Sequence, residues 1–322
     1  MKAIVYKKYG PPDVLELKDV EKPIPKDNQV LVKIQAASVN YGNLVLLKGE
    51  PFLARFAFGL LKPKYPIPGG DIAGKVEAVG KDVTQFRPGD EVFGDLSGCG
   101  WGGFAEYVAV PEKALALKPA NLSFEEAAAV PMASVTALQG LRDKGKIQSG
   151  QEVLIYGASG GVGTFAVQIA KALGAKVTAV CSTRNVSIAK SIGADHVIDY
   201  MDEDFTGKTE RYDLILAANG HQPISVYKRA LNPNGIFVHV GGSGAQMFQA
   251  MVLGPWISMT ERKKVGVFLQ RANQKDLFNI KELLEAGKVR PVIDRQYTLS
   301  QVPEAIRYFA EGHAQGKVVI KM

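Results

Sequence analysis

The stretch EVLIYGASGGVGTFAVQIAKALG, residues 152–174, decides the fold. EVLIY is a short apolar run of strand-forming residues, and TFAVQIAKALG carries apolar side chains at helical spacing before a glycine stop. Between them stands Gly157-Ala158-Ser159-Gly160-Gly161-Val162-Gly163. Glycines at such a turn let the backbone leave the strand sharply and approach a diphosphate. The phosphate charge then meets the free N–H groups and the positive dipole end of the helix. Gly163 would let the helix sit close to the sheet. A tight turn with no ligand is the plain alternative, but a complete βαβ unit around the glycines favours a nucleotide.

Reading outward, the pattern repeats. KVTAVC (176–181), HVID (196–199), RYDLILAA (211–218), GIFVHVGG (235–242) and KVGVFL (264–269) are short buried runs separated by helical segments such as NVSIAKSIG. Parallel strands need a crossover between neighbours, so this alternation predicts an α/β domain with a doubly wound parallel sheet of the Rossmann type. Upstream, VLVKIQAASV (30–39), AGKVEAVG (73–80), RPGDEVFG (87–94) and AEYVAV (105–110) alternate between Gly, Pro and Asp punctuation and read as a β-rich region. Ser123, three residues before Glu126, predicts a capping box at the start of a helix. The expected boundaries are a β-rich domain over 1–120, a dinucleotide domain over 121–269, and a tail over 270–322 that returns to the first domain. That tail holds an amphipathic helix, DLFNIKELLEAG, and the strand-like RQYTL and GKVVIKM.

Gly157-Ala158-Ser159-Gly160-Gly161 also satisfies the G-x-S-x-G spacing of a hydrolase elbow, which would make Ser159 a nucleophile. That reading needs a later histidine as base. Of His196, His221, His239 and His313, only His313 lies late and in a loop-like stretch. The additional Gly161-Val162-Gly163 has no role in such an elbow.

A site for NAD would place Asp or Glu at the end of the second strand, to hold the adenine ribose. Here Cys181-Ser182-Thr183-Arg184-Asn185 stands there instead. Hydroxyls and a guanidinium suit a 2′-phosphate, so Ser182 and Arg184 point to NADPH. Asn219-Gly220 and Gly241-Gly242 end the fourth and fifth strands. Ligands collect at carboxyl strand ends, so these turns are expected to line the crevice, with Phe268 and Leu269 finishing the sixth strand.

The 322 residues, 46% hydrophobic and 22% charged, suffice for about two packed domains and exclude wholesale disorder. The net charge of +7 is spread along the chain with no basic stripe, which argues against nucleic acid. Cys99 and Cys181 are the only cysteines and no apolar leader precedes MKAIVYKKYG, so a reducing cytoplasm is expected. The uncharged stretch from Ala230 to Thr260 is broken by NPNG, GGSG and Pro255 and does not read as a membrane span. PFLARFAFGLLKPK (51–64) could form an amphipathic helix resting on a membrane surface, although packing within its own domain is the expected fate. That segment and MFQAMVLGPWISM (247–259) could also shape a substrate pocket.

Taken together, MKAIVYKKYGPPDVLEL at the start, AASVN (36–40), PGGDIAGKVEAVG (68–80), RPGDEVFG, GASGGVGTFAVQIAKALGA (157–175) and GADHVIDY (193–200) resemble the medium-chain dehydrogenase/reductase superfamily. The resemblance spans nearly the whole chain and lies with the zinc-free quinone oxidoreductase and enone reductase branch. It implies a GroES-like catalytic domain with the Rossmann domain inserted into it. Zinc-using relatives bind metal through an early Cys, a His in a PGHE segment and a later Cys. Here Asn40 and Tyr41 stand near the first position and the segment reads Pro68-Gly69-Gly70-Asp71, so no metal site is expected, and solitary Cys99 does not supply one.

Without a Lewis acid, conjugated acceptors are favoured, because the hydride's charge delocalises onto an enolate or quinol oxygen. The expectation is NADPH-dependent reduction of a quinone or an α,β-unsaturated carbonyl; a non-catalytic NADPH-binding protein is the other reading. The resemblance implies that Asn40 lies beside the nicotinamide and substrate, with Tyr41 as a further donor or a packing aromatic. It places Thr136 on the nicotinamide side, Ser159, Gly160, Gly161 and Val162 on the diphosphate, and Tyr200 with Ser182 and Arg184 on the adenosine phosphate. It also makes a homodimer an arrangement to expect.

Overall fold

A computed structural model describes residues 1–203, 210–242 and 244–322. The chain divides into two units: residues 1–133, 271–285 and 291–322 form one, and residues 134–270 with 286–290 form the other. The first boundary therefore lies 13 residues beyond the expected position at 120. Its cause is local. The helix Phe124–Ala128 starts at the Ser123 capping box, where Ser123 Oγ accepts the Glu126 N–H at 3.1 Å and Glu126 Oε2 accepts the Ser123 N–H at 2.8 Å. Its buried Ala127 and Ala128 then pack on strands of the first unit.

The second unit is built on a six-stranded parallel sheet. Its spatial order is His196–Asp199, Lys176–Cys181, Glu152–Tyr156, Tyr212–Ala217, Leu231–His239, Lys264–Val267. Numbered along the chain, the strands run 3-2-1-4-5-6, the doubly wound order. Val153, Leu154 and Ile155 are fully buried, as are Leu214, Ile215 and Leu216, because parallel strands covered on both faces need continuous apolar runs. The fifth strand begins four residues earlier than its GIFVHV core suggests, with Asn234 in a left-handed turn (φ 66°) inside it. The sixth ends at Val267, so Phe268 and Leu269 fall beyond it rather than finishing it.

The first unit carries a sheet in the order Ile293–Thr298, Lys317–Lys321, Gln29–Val39, Asp71–Val79, Glu91–Asp95, Leu115–Leu117, with Tyr107–Pro111 also pairing on Gln29–Val39. The C-terminal strands thus join the N-terminal ones in one sheet. Its core holds Ile4, Tyr6, Val32, Ile34, Leu46, Ile72, Phe104, Val318 and Ile320. Residues 51–64 do not form one amphipathic helix. They make a 3-10 turn, Phe52–Ala54, and a four-residue helix, Arg55–Phe58, because Gly59 (φ 111°) ends the run. Residues 247–259 lie within one helix, Gly244–Thr260. No helix among the described residues is long and apolar enough to cross a membrane.

Candidate active site

In the second unit the order of the sheet reverses between the strands Glu152–Tyr156 and Tyr212–Ala217, and a doubly wound fold opens its crevice at such a switch point. The glycine turn sits at the carboxyl end of that pair. Gly157 has φ 78°, and a Cβ there would lie 2.7 Å from Asn219 Cβ, so the turn is pressed against the end of the fourth strand. A Cβ on Gly163 would fall 2.1 Å from the carbonyl oxygen of Gly157. Only glycine lets the helix Gly161–Ala172 start this close to the turn, with its first N–H groups open at the sheet edge.

Ser159, Gly160, Gly161 and Val162 form the partly exposed rim of this turn. Ser182, Thr183 and Arg184 follow the second strand, and Tyr200 joins them because its N–H donates to Cys181 O at 3.0 Å. Asn219-Gly220 and Gly241-Gly242 also come together: Gly220 and Gly242 form a bridge, and the Gly220 N–H donates to Gly241 O at 3.0 Å. Thr136 is buried in the helix Pro131–Gln139. Phe268 is half-buried and anchored by its N–H on His239 O at 2.9 Å, whereas Leu269 is exposed.

Asn185 was not anticipated. Its Nδ2 donates to Ser159 Oγ at 2.9 Å and Ser182 Oγ at 3.0 Å, tying the glycine turn to the end of the second strand. Its Oδ1 is buried without a partner, an acceptor left over beside the glycine turn. Together with the glycine cradle, that orphaned acceptor fits a dinucleotide. The hydrolase reading is not supported: Ser159 Oγ accepts from Asn185, while His221 pairs with Asn219 and His239 with Gln246. His239 is buried, and burial holds its imidazole below its ordinary pKa, against the opposing Gln246 bond.

The first unit places Asn40 at the end of its longest strand, as the N-cap of the helix Tyr41–Lys48. The usual cap would spend the asparagine side chain on the helix. Here Asn43 Oδ1 accepts the Asn40 N–H at 2.8 Å, the reciprocal half of a capping box, and the Asn40 amide also bonds to side chains inside the unit. Nδ2 donates to Asp71 Oδ2 at 2.8 Å, and Oδ1 accepts from Lys317 Nζ. Asp71 and Lys317 are fully buried; burial pushes the carboxyl up and the ammonium down, and each partner opposes the other's shift. Neither was anticipated as a site residue, since a lysine opening GKVVIKM reads as an exposed strand end. Tyr41 is 61% exposed, which rules out the packing role.

Gly70 occupies the position where zinc-using relatives would carry histidine. A Cβ there would meet Met132 Cε at 3.0 Å and Trp101 Cζ3 at 3.2 Å, and one on Gly42 would meet Trp101 Cη2 at 2.9 Å. The indole of Trp101, buried on a left-handed backbone (φ 62°), therefore fills the space a metal ligand would need. Burial pushes the Cys99 thiol up to about 12, the wrong direction for a thiolate ligand. Among the described residues no three His, Cys, Asp or Glu converge. This donor set does not fit zinc.

Residues 26–120 match the family described as alcohol dehydrogenase GroES-like domain, and residues 192–320 the family described as zinc-binding dehydrogenase. The chain is 35% identical to the chloroplast envelope quinone oxidoreductase homolog of Arabidopsis thaliana, covering 100% of this chain and 98% of that protein. It is 34% identical to the chloroplastic NADPH-dependent alkenal/one oxidoreductase of the same plant, covering 99% and 79%. The solved quinone oxidoreductase of Coxiella burnetii superposes with a TM-score of 0.88 at 32% identity, covering 100% of this chain and 99% of that one.

Proposed function

Because the chain belongs to the medium-chain dehydrogenase/reductase superfamily, in its quinone oxidoreductase and enone reductase branch, we propose that it is an NADPH-dependent reductase of quinones or α,β-unsaturated carbonyls that works without zinc. The observation that carries this reading is the pairing of a cradle for a dinucleotide with a first unit whose metal-ligand position is a glycine under a tryptophan. Bound NADPH supplies the hydride.

The protein's part is to bind, orient and stabilise charge. The turn Ser159–Val162 and the helix behind it receive the diphosphate. Ser182, Arg184 and Tyr200 hold the 2′-phosphate, with Asn185 fixing the turn against them. Thr136, Asn219, Gly220, Gly241, Gly242, Phe268 and Leu269 complete the cofactor's surroundings. Asn40 directs an amide N–H to the oxygen on which negative charge develops, and Tyr41, exposed beside it, is the second donor. A conjugated acceptor spreads that charge, so hydrogen bonds suffice where a saturated ketone would need a cation.

The same reading places the protein in the cytoplasm, supported by its two free cysteines, Cys99 and Cys181. It includes a homodimer, supported by the exposed Phe248, Met251, Val252, Trp256 and Met259 on one side of the helix Gly244–Thr260. Steady-state NADPH oxidation against quinones, enones and saturated ketones tests the chemistry. Turnover confined to the conjugated acceptors is expected. NADPH binding with no turnover of any of them would favour a non-catalytic binder, and preference for saturated ketones would reject the proposal.

A further inference from the structure

Two strands deliver opposite charges to one point. Asp71 opens the strand Asp71–Val79 and Lys317 opens Lys317–Lys321; both strands pair with Gln29–Val39, Asp71 opposite Ser38 and Val318 opposite Val39. Their charged groups meet beside Asn40, with 3% of the lysine side chain and none of the aspartate exposed. Lys317 Nζ donates to Asn40 Oδ1, donates to Val39 O at 3.3 Å, and lies 3.5 Å from Asp71 Oδ2. Asp71 Oδ2 accepts from Asn40 Nδ2 at 2.8 Å and from Ser38 Oγ at 3.1 Å, while Asp71 Oδ1 accepts the Met132 N–H at 3.0 Å.

A buried ion pair is a weak source of stability, because desolvation offsets the attraction; fixing one conformation is the use that remains for it. A primary amide can exchange its oxygen and nitrogen by a half-turn that changes almost nothing sterically. At Asn40 that half-turn would set N–H against ammonium and carbonyl oxygen against carboxylate. Only one orientation survives. In it Oδ1 and one Nδ2–H are both held by charged partners, which polarise the amide, and a single N–H is left over.

We infer that Lys317 and Asp71 are positioning residues for the reaction, locking the Asn40 amide so that its remaining Nδ2–H donates to the acceptor oxygen. This rests on the reading that Asn40 meets the acceptor.

Two variants test it. Lys317→Met frees the amide to turn and is expected to lower kcat for an enone by about 100-fold, the loss that goes with one oxyanion donor, with the NADPH dissociation constant unchanged. Lys321→Met, which removes an exposed ion pair with Glu125 from the same strand, is expected to leave kcat unaltered. Asn40→Asp keeps the acceptor facing Lys317 but replaces both N–H donors, the one facing Asp71 and the one left for the acceptor, by an oxygen, and Asp95 also acts on Lys317. The one proton that the two neighbouring carboxylates share restores only the bond to Asp71 and leaves no donor for the acceptor, so kcat should stay about 100-fold below wild type however far the pH is lowered within the folded range.

A folded Lys317→Met protein with wild-type kcat, or an Asn40→Asp protein whose kcat climbs to the wild-type value on acidification and so needs no bond to Asp71, overturns the inference. Should Lys317→Met fail to fold, the pH profile of Asn40→Asp still decides. A wild-type protein that binds NADPH but reduces no conjugated acceptor overturns instead the reading underneath, and the inference with it.

Discussion

Gly163 does more than permit a turn. Its missing side chain is the condition for the helix Gly161–Ala172 to begin against the Gly157 carbonyl, 2.1 Å from where a Cβ would be. Gly163→Ala must push the helix start off the turn, an overpacking that typically costs about 1–3 kcal/mol. We expect a lower melting temperature and NADPH affinity weakened by about tenfold or more in titration calorimetry; unchanged affinity would mean that the turn does not hold the cofactor. At this scale the sequence was informative where chemistry is local. Gly157 and Gly163 announce themselves by spacing, and the Ser123–Glu126 box by two residues. Asp71, Lys317 and Asn185 were illegible, because each matters through partners distant in sequence: Lys317 meets Asn40 across 277 residues. The direction of the Asn40 amide was likewise invisible, since it depends on which strands lie beside it.

At the scale of elements, alternation of buried runs and helices sufficed for a doubly wound parallel sheet, though not for its strand order, because parallel strands buried on both faces have little freedom in composition. Ends were harder to read. The sixth strand stops at Val267 and the 51–64 segment breaks at Gly59, both decided by backbone geometry rather than by hydropathy. The fifth strand carries a consequence for pH. His239 at its end is buried with Nδ1 2.8 Å from Gln246 Oε1, and burial lowers its pKa below the ordinary 6.5. The unfolded chain then takes up a proton, as pH falls through about 6.5, that the folded unit does not, so folding loses stability on acidification. Melting temperature followed from pH 7.5 to 5.5 should fall less steeply in His239→Gln than in the wild type. Parallel slopes would show that the imidazole titrates alike in both states.

Over the whole molecule, each unit carries its own feature: the second a glycine turn at the switch point of its sheet, the first the Asn40 amide bonded to Asp71 and a Gly70 that Trp101 and Met132 crowd. That the tail returns to the first sheet was legible from its strands GKVVIKM and RQYTL. The boundary near 133 was not, because the capped helix packs by tertiary contact. The central claim is hydride transfer to a conjugated acceptor with no cation to help. It is tested most directly by treating the protein with a strong chelator, assaying bound zinc, and measuring NADPH oxidation with a quinone in the same sample. The account predicts full turnover with zinc far below one per chain; activity that vanishes with the metal and returns on adding zinc would contradict it.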